Sequence, residues 1–227
     1  MKPIYRYFVQ PQINTATKTI FGYELLMKQL TRDGWRLPES FAAIDPQVIA
    51  DLLIATTKVL SVKVRYCSVN VSREQLMTTP IAHALIKSQE QLYPTKLVIE
   101  LTEEDGPKKY PVDDLIPQLK RFLKYGMQLS LDDVGTGDNY FTEIQDLLPF
   151  VSEIKFALQN FNQQFKDPNI QQKIHFWHAI SIEYGIRLVL EGIEDHADNQ
   201  LSKKLGIKFK QGYYFSRPQL LSLPEDY

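Results

Sequence analysis

The chain has 227 residues, 44% of them hydrophobic and 23% charged, so it is long enough to bury a full core and too apolar to be disordered. Its net charge of -1 excludes the positive field that would hold duplex nucleic acid or an anionic membrane, and its single cysteine, Cys67, excludes disulfides and cysteine-rich zinc sites. No segment reaches the roughly 18 apolar residues of a membrane span, and the first residues lack the apolar run of a signal peptide, so we expect one cytoplasmic domain over residues 1–227.

The predicted elements begin with two strands, residues 4–12 and 19–28, joined by a polar segment. Apolar residues then recur at helical spacing over 46–62, and a β-rich run follows at 64–71. The alternation continues with helix 73–91, strand 96–101, helix 113–125, strand 127–131, strand 153–158, helix 169–184, strand 186–190, helix 196–205 and a last strand near 208–215. Alternating strands and helices predict an α/β fold with a parallel sheet, and about eight strands in one domain favour a closed barrel.

Polar residues stand where these apolar strands end: Glu24, Asn70, Glu100, Asp132, Asp133, Lys155 and Glu191. The carboxyl ends of parallel strands converge on one face of a barrel, so we expect these side chains to form one cluster. Several carboxylates brought together repel one another and require cations. Oxygen ligands without Cys or His favour Mg²⁺ or Mn²⁺ over Zn²⁺, and the adjacent aspartates indicate two ions.

A simpler interpretation applies to each acid taken singly, because a lone Asp or Glu after a strand is more often a helix N-cap or a solvated loop residue. The same placement on most strands weakens that interpretation. Lys155 lies in the apolar strand IKF, where an inward charge is costly unless it is paired, and it therefore also fits a polar centre.

Eight short motifs follow one another along the chain: VQPQ at 9–12, GYELLMK at 22–28, SVNVS at 68–72, ELTE at 100–103, DDVGTG at 132–137, IKF at 154–156, EGIE at 191–194 and QGYYFSRP at 211–218. They stand in the order found in EAL domains, the bacterial phosphodiesterases that hydrolyse cyclic di-GMP. The sequence resembles that family over nearly its whole length.

The resemblance implies a TIM-like (β/α)8 barrel with one antiparallel strand, and a homodimer. It implies a first metal ion on Glu24, Asn70, Glu100 and Asp132, and a second on Asp132 and Asp133. By the same resemblance, Lys155 orients the attacking water, and Glu191 acts as a base or holds a metal-bound water. The implied substrate is cyclic di-GMP and the implied product linear pGpG.

The resemblance also assigns the surroundings of the metal ions. Gln10, Lys28 and Gln211 match positions that contact the dinucleotide. Glu103 matches the acid that positions the loop beginning at Asp133, and Glu194 matches a further acid near the site.

Departures from the family pattern lie among the residues that match substrate contacts and in the loop after the paired aspartates. Lys28 replaces an arginine, Val134 a phenylalanine, Ala157 the aspartate of KID, and DNYF at 138–141 the family's YSSL. A lysine contacts phosphate without the bidentate fork of arginine. Two alternatives to an active phosphodiesterase follow: a module that binds cyclic di-GMP or a protein without turnover, and an enzyme for a different phosphodiester.

Overall fold

The computed structural model describes residues 3–41, 43–102, 110–137 and 139–224, and a barrel of eight strands lies at the centre of these residues. The strands are β1 Tyr5–Asn14, β2 Thr19–Thr31, β3 Gly34–Arg36, β4 Tyr66–Val71, β5 Lys96–Leu101, β6 Gln128–Leu131, β7 Glu153–Ala157, β8 Arg187–Glu191, β9 Phe209–Lys210 and β10 Gln219–Leu220. The helices are α1 Pro46–Leu60, α2 Arg73–Met77, α3 Thr79–Leu92, α4 Val112–Lys124, α5 Phe141–Ile144, α6 Pro168–Glu183 and α7 His196–Lys204, with 3-10 turns at Gln145–Phe150 and Leu158–Asn160.

The barrel closes through β1, which pairs antiparallel with both β2 and β9. The remaining neighbours, from β2 through β4 to β9, pair in parallel. β3 and β10 lie outside the closed ring, on β2 and β1 respectively. The predicted TIM-like (β/α)8 barrel with one antiparallel strand is confirmed.

The predicted hairpin at the start of the chain is β1 followed by β2. The side-chain oxygen of Asn14 accepts hydrogen bonds from the backbone N–H groups of Ala16 and Thr17, at 3.0 and 3.3 Å, and Lys18 has a positive φ of 57°. These bonds give the polar segment a fixed turn. β2 continues three residues past the predicted end and turns back as β3, a short strand that the sequence pattern did not predict.

Two predicted elements are wrong in detail. The helix predicted over 73–91 is two helices, because Thr78 is extended (φ -83°, ψ 111°) and Pro80 has no N–H for a continuous helix. The last predicted strand, 208–215, ends at Lys210. Gly212, with φ +154°, then leads the chain into a turn. The Phe215 N–H closes this turn by donating to the Gly212 carbonyl at 3.1 Å.

Strand alternation separates core residues from residues of the barrel interior. On β5, Leu97 and Ile99 pack into the hydrophobic core, while Glu100 lies on the opposite side of the strand. The stripe of α4 at Leu115, Leu119 and Phe122 is buried as its spacing predicts, and burying such side chains stabilises the fold by roughly 1.5–3 kcal/mol each. In the described part of the chain no helix has both the length and the apolar character needed to span a bilayer.

Candidate metal centre

Lys155 on β7 lies at the centre of the carboxyl-terminal end of the barrel, surrounded by acids from other strands. Its Nζ is 2.8 Å from Glu191 Oε1, 2.9 Å from Glu100 Oε2, 3.3 Å from Asp132 Oδ1 and 3.6 Å from Glu24 Oε2. The side chain is 1% exposed. Three strand ends and the middle of β2, which carries Glu24, therefore bring four carboxylates to one buried ammonium group, which cannot neutralise all of them.

The pKa values of these groups follow from that imbalance. Burial opposes the charge on Lys155, but the four carboxylates outweigh burial and raise its pKa well above the ordinary value. Burial raises the pKa of Glu100 well above its ordinary value and also raises that of Asp132, in both cases against the attraction of Lys155. Burial alone would raise the pKa of Glu24 as well, yet Lys155 and two hydrogen-bond donors lower it. Glu24 is thus the acid of this group held most firmly in the ionised form.

Glu191 should make the stability of the metal-free protein depend on pH. Burial raises its pKa from 4.5 to about 8. Between these values the folded protein retains a proton that the unfolded chain has lost, so stability falls as pH rises from about 4.5 to 8. The pKa values of Glu100 and Asp132 are raised as well, so these two acids also make stability fall as pH rises.

We therefore expect the Tm of wild-type protein, measured in chelator, to decrease across this pH range. Glu191→Gln should show a shallower decrease, because a glutamine cannot titrate. An equally steep decrease in the variant would show that Glu191 does not carry this dependence.

Three amide side chains surround Glu24. Asn70 Nδ2 donates to Glu24 Oε1 at 2.9 Å, and Gln211 Nε2 donates to Glu24 Oε2. Gln211 Nε2 also donates to Gln10 Oε1 at 3.1 Å, and Gln10 Nε2 donates to the Ser216 carbonyl at 3.0 Å. Asn70 and Gln211 thus orient the carboxylate directly, and Gln10 holds Gln211, although the three amides were predicted from separate motifs.

Gly212 allows the chain to bring Gln211 to this position. A Cβ on Gly212 would lie 2.2 Å from the Ile193 carbonyl oxygen, so a larger residue would collide with backbone. Two hydrogen bonds fix the close approach. The Ile193 N–H donates to the Gln211 carbonyl at 3.2 Å, and the Tyr214 N–H donates to the Ile193 carbonyl at 2.9 Å. The QGYYFSRP and EGIE motifs therefore pack directly against each other beside the site.

Asp132 and Asp133 form an acidic turn after β6. Asp133 has φ +52°, a left-handed conformation that costs a non-glycine residue about 1 kcal/mol. Its carbonyl accepts the Thr136 hydroxyl at 2.7 Å, and the next N–H, of Val134, donates to the Lys155 carbonyl at 3.0 Å. This conformation turns the second carboxylate towards β8, where one oxygen from each of Asp132, Asp133 and Glu191 lies within 4.8 Å of the others.

The donors present here fit a hard divalent cation. All the acidic ligand atoms are carboxylate oxygens, supplemented by the amide of Asn70, and such donors suit Mg²⁺ or Mn²⁺. Asp132 Oδ1 is buried and receives no well-directed hydrogen bond from the described residues, although Lys155 Nζ is 3.3 Å away. A buried carboxylate oxygen without a good donor is an available ligand.

A cleft of about 350 Å³ opens over the acids. Its lining includes Gln10, Glu24, Asp132, Asp133, Lys155, Gln159, Glu191, Glu194, Gln211, Tyr213 and Pro218. Glu194 is exposed at the rim. Lys28 is not part of the lining, and its Nζ lies 4.4 Å from the centre of the Phe8 ring. Glu103 is outside the described residues.

Sequence reasoning missed two buried side chains beside the acids. Gln12 donates to Glu100 Oε1 at 3.4 Å, and Asn139 donates to the Asp132 carbonyl at 2.5 Å. Gln12 could have been found, because it follows Gln10 by two positions on β1 and so shares its face. No pattern in the sequence marks Asn139, which lies in the altered DNYF segment.

The chain is similar to known proteins over most of its length. The family model described as "EAL domain" matches residues 5–218. "Cyclic di-GMP phosphodiesterase NbdA" of Pseudomonas aeruginosa is 29% identical over 79% of this chain and 22% of its own length. "Probable cyclic di-GMP phosphodiesterase PdeD" of Escherichia coli K12 is 24% identical over 94% of this chain and 41% of its own length.

The chain thus spans less than half the length of these two relatives. Among solved structures, a standalone EAL protein of Vibrio cholerae O395 in its c-di-GMP-bound form superposes with a TM-score of 0.78 at 22% identity. That comparison covers 99% of this chain and 96% of the other, and it supports the fold.

Proposed function

This chain belongs to the EAL domain family, and we propose that it hydrolyses cyclic di-GMP to linear pGpG using divalent metal ions. The observation that carries the proposal is the group of four carboxylates around Lys155, three of which, Glu24, Asp132 and Glu191, line an open cleft. Such a group costs stability in a metal-free protein, and a cleft of this size suits a small-molecule ligand. Relatives named as cyclic di-GMP phosphodiesterases support the choice of substrate.

We propose that Glu24, Asn70, Glu100 and Asp132 hold a first Mg²⁺ or Mn²⁺ ion and that Asp132 and Asp133 hold a second. Bound ions would neutralise the charge of the phosphodiester and lower the pKa of a bound water. The amides of Asn70 and Gln211 hold Glu24 in place, and its lowered pKa keeps it ionised for ligation at neutral pH.

Lys155 and Glu191 are the residues that we assign to the reaction itself. Lys155 Nζ has several carboxylate neighbours, so it stays protonated and can orient the attacking water by donating a hydrogen bond. Glu191 Oε1 lies 2.8 Å from that ammonium, so it is close enough to take a proton from a water that Lys155 orients. We propose that the same carboxylate would hold a metal-bound water.

For the dinucleotide we propose contacts with Gln10, Gln211 and Lys28, with Glu194 at the rim. Gln211 Oε1 is buried and finds no donor among the described residues, so it can accept a hydrogen bond from a ligand. Lys28 follows Glu24 and Leu26 on the same face of β2, and its ammonium can reach a phosphate only by leaving Phe8. Glu103 keeps its proposed role in positioning the loop, and the single domain, the homodimer and the cytoplasmic location stay predictions.

The test is incubation of the purified protein with cyclic di-GMP and Mn²⁺, followed by chromatography for pGpG. We expect pGpG to accumulate with Mn²⁺ and not with chelator. Tight binding without product would contradict the enzyme and favour a binding module. No binding at all would indicate a different phosphodiester.

A further inference from the structure

The side chain of Asn139 joins two parts of the site that are far apart in sequence. It is fully buried, and its Nδ2 donates to the main-chain carbonyl of Asp132 at 2.5 Å. Its Oδ1 accepts a hydrogen bond from Arg73 Nη2 at 3.3 Å. Both ends of the amide are therefore used, one on the acidic turn and one on a helix that follows β4.

Arg73 is placed for this contact by a well-defined helix start. It is the first residue of α2, three positions after Asn70, and the Ser72 hydroxyl and the Gln75 side chain form a reciprocal capping box around it. The guanidinium is almost fully buried. Arg73 and Asn139 thus link the strand end that carries Asn70 to the strand end that carries Asp132.

The carbonyl that Asn139 holds controls the direction of both aspartates. The Asp132 carbonyl and the Asp133 N–H belong to one planar peptide group, so fixing the oxygen fixes the plane between the two side chains. Asp133 has the unfavourable left-handed conformation and keeps it only if its surroundings impose it. Asn139 also closes the loop through its backbone, which accepts from the Gly135 N–H and donates to the Thr136 carbonyl, each at 2.9 Å.

We infer that Arg73 and Asn139 are positioning residues that set the geometry of the acidic turn for metal binding. This inference rests on the metal site of the proposed function. Asn139 stands where the family motif YSSL has its first serine, so the altered segment contains its own tether for the turn. The side chain of asparagine is longer than that of serine, and here it contacts both Arg73 and the Asp132 carbonyl.

Calorimetric titration of Mn²⁺ into Asn139→Leu, without substrate, tests the inference. Leucine has a similar size but neither donates nor accepts a hydrogen bond. We expect the Mn²⁺ dissociation constant to rise about tenfold, the lower end of the effect of losing a residue that orients a ligand. In the metal-free variant, the backbone amide of Gly135 should exchange with deuterium faster than in wild type. Asn139→Ser, the family's residue, should give a smaller loss of affinity and serves if the leucine variant does not fold.

Gln89→Met is the matched control. Gln89 is also a buried amide that bridges main-chain groups, donating to the Thr95 carbonyl at 3.1 Å and accepting from the Leu97 N–H at 2.7 Å, at the amino end of β5. It should lose stability without losing Mn²⁺ affinity. Unchanged affinity in both Asn139 variants, or an equal loss in Gln89→Met, would overturn the inference. If wild type binds Mn²⁺ without hydrolysing cyclic di-GMP, the proposed function fails, but the Mn²⁺ affinities of the variants still test whether Arg73 and Asn139 position the acidic turn. If wild type binds no Mn²⁺, the inference fails too.

Discussion

Lys155→Met should destabilise the metal-free protein at pH 8 and abolish turnover. Removing one partner of a buried ionic group leaves its counter-charges uncompensated, at a cost of about 3–5 kcal/mol. Here four carboxylates lie within 3.6 Å of the ammonium that is removed. Urea unfolding in the presence of chelator measures this loss.

The loss should depend on pH and on metal. At lower pH the carboxyl groups of Glu100, Asp132 and Glu191 can take up protons, because burial already raises their pKa, so the variant should recover stability. Mn²⁺ should also stabilise the variant, since the ion replaces the missing positive charge. Turnover should nevertheless fall by roughly 10³-fold even at saturating Mn²⁺, because the residue that orients the water is gone.

Lys210→Met is the control variant, because it also replaces a buried lysine with methionine. Lys210 is also fully buried, but within the described part of the chain its Nζ donates to the main-chain and side-chain oxygens of Asn199, at 3.3 and 3.2 Å, and not to a carboxylate. Burial, together with Lys203, lowers its pKa to about 8, the opposite direction from Lys155. Its replacement should cost little stability or none. A Lys155→Met protein as stable as wild type at pH 8 in chelator would show that the ammonium does not neutralise the acids.

The contrast between these two lysines marks the limit of sequence reasoning. Both lysines lie within strands that the sequence predicts, and Lys155 could be assigned to a polar centre because acids stand at the ends of the other strands. That argument needs only strand periodicity and the convergence of parallel strands, which depend on local sequence. The distances that make Lys155 the common neighbour of four acids depend on barrel closure and side-chain direction.

Elements set by local sequence were predicted closely, and those set by tertiary contacts were not. The bounds of β5 agree with the sequence prediction, because four of its six residues, Leu97, Val98, Ile99 and Leu101, are apolar. β9 is only two residues long, because Gly212 has to approach Ile193 and the chain turns away from the barrel. The contact of Arg73 with Asn139 spans 66 positions and leaves no periodic signal.

Glu24→Ala should abolish hydrolysis while the protein stays folded. Glu24 is the site acid with a lowered pKa, and it is oriented by Asn70 and Gln211. Alanine removes the proposed ligand of the first metal ion and the carboxylate that accepts from Asn70 and Gln211, while Gln211 keeps its bond to Gln10. We expect turnover of cyclic di-GMP to fall by roughly 10³-fold or more. Wild-type activity in this variant would contradict the metal assignment.

Isosteric variants separate the loss of a ligand from the loss of a buried charge. Glu24→Gln and Glu153→Gln both neutralise a buried glutamate of a barrel strand, but Glu153 lies at the first residue of β7, where it pairs with Arg187 Nε at 3.0 Å. Glu153→Gln should lower the free energy of unfolding and retain turnover. Glu24→Gln places an amide where Gln211 already donates, so it should lose both Mn²⁺ affinity and turnover. Equal losses of turnover in the two variants would mean that charge burial, not ligation, explains the effect of Glu24.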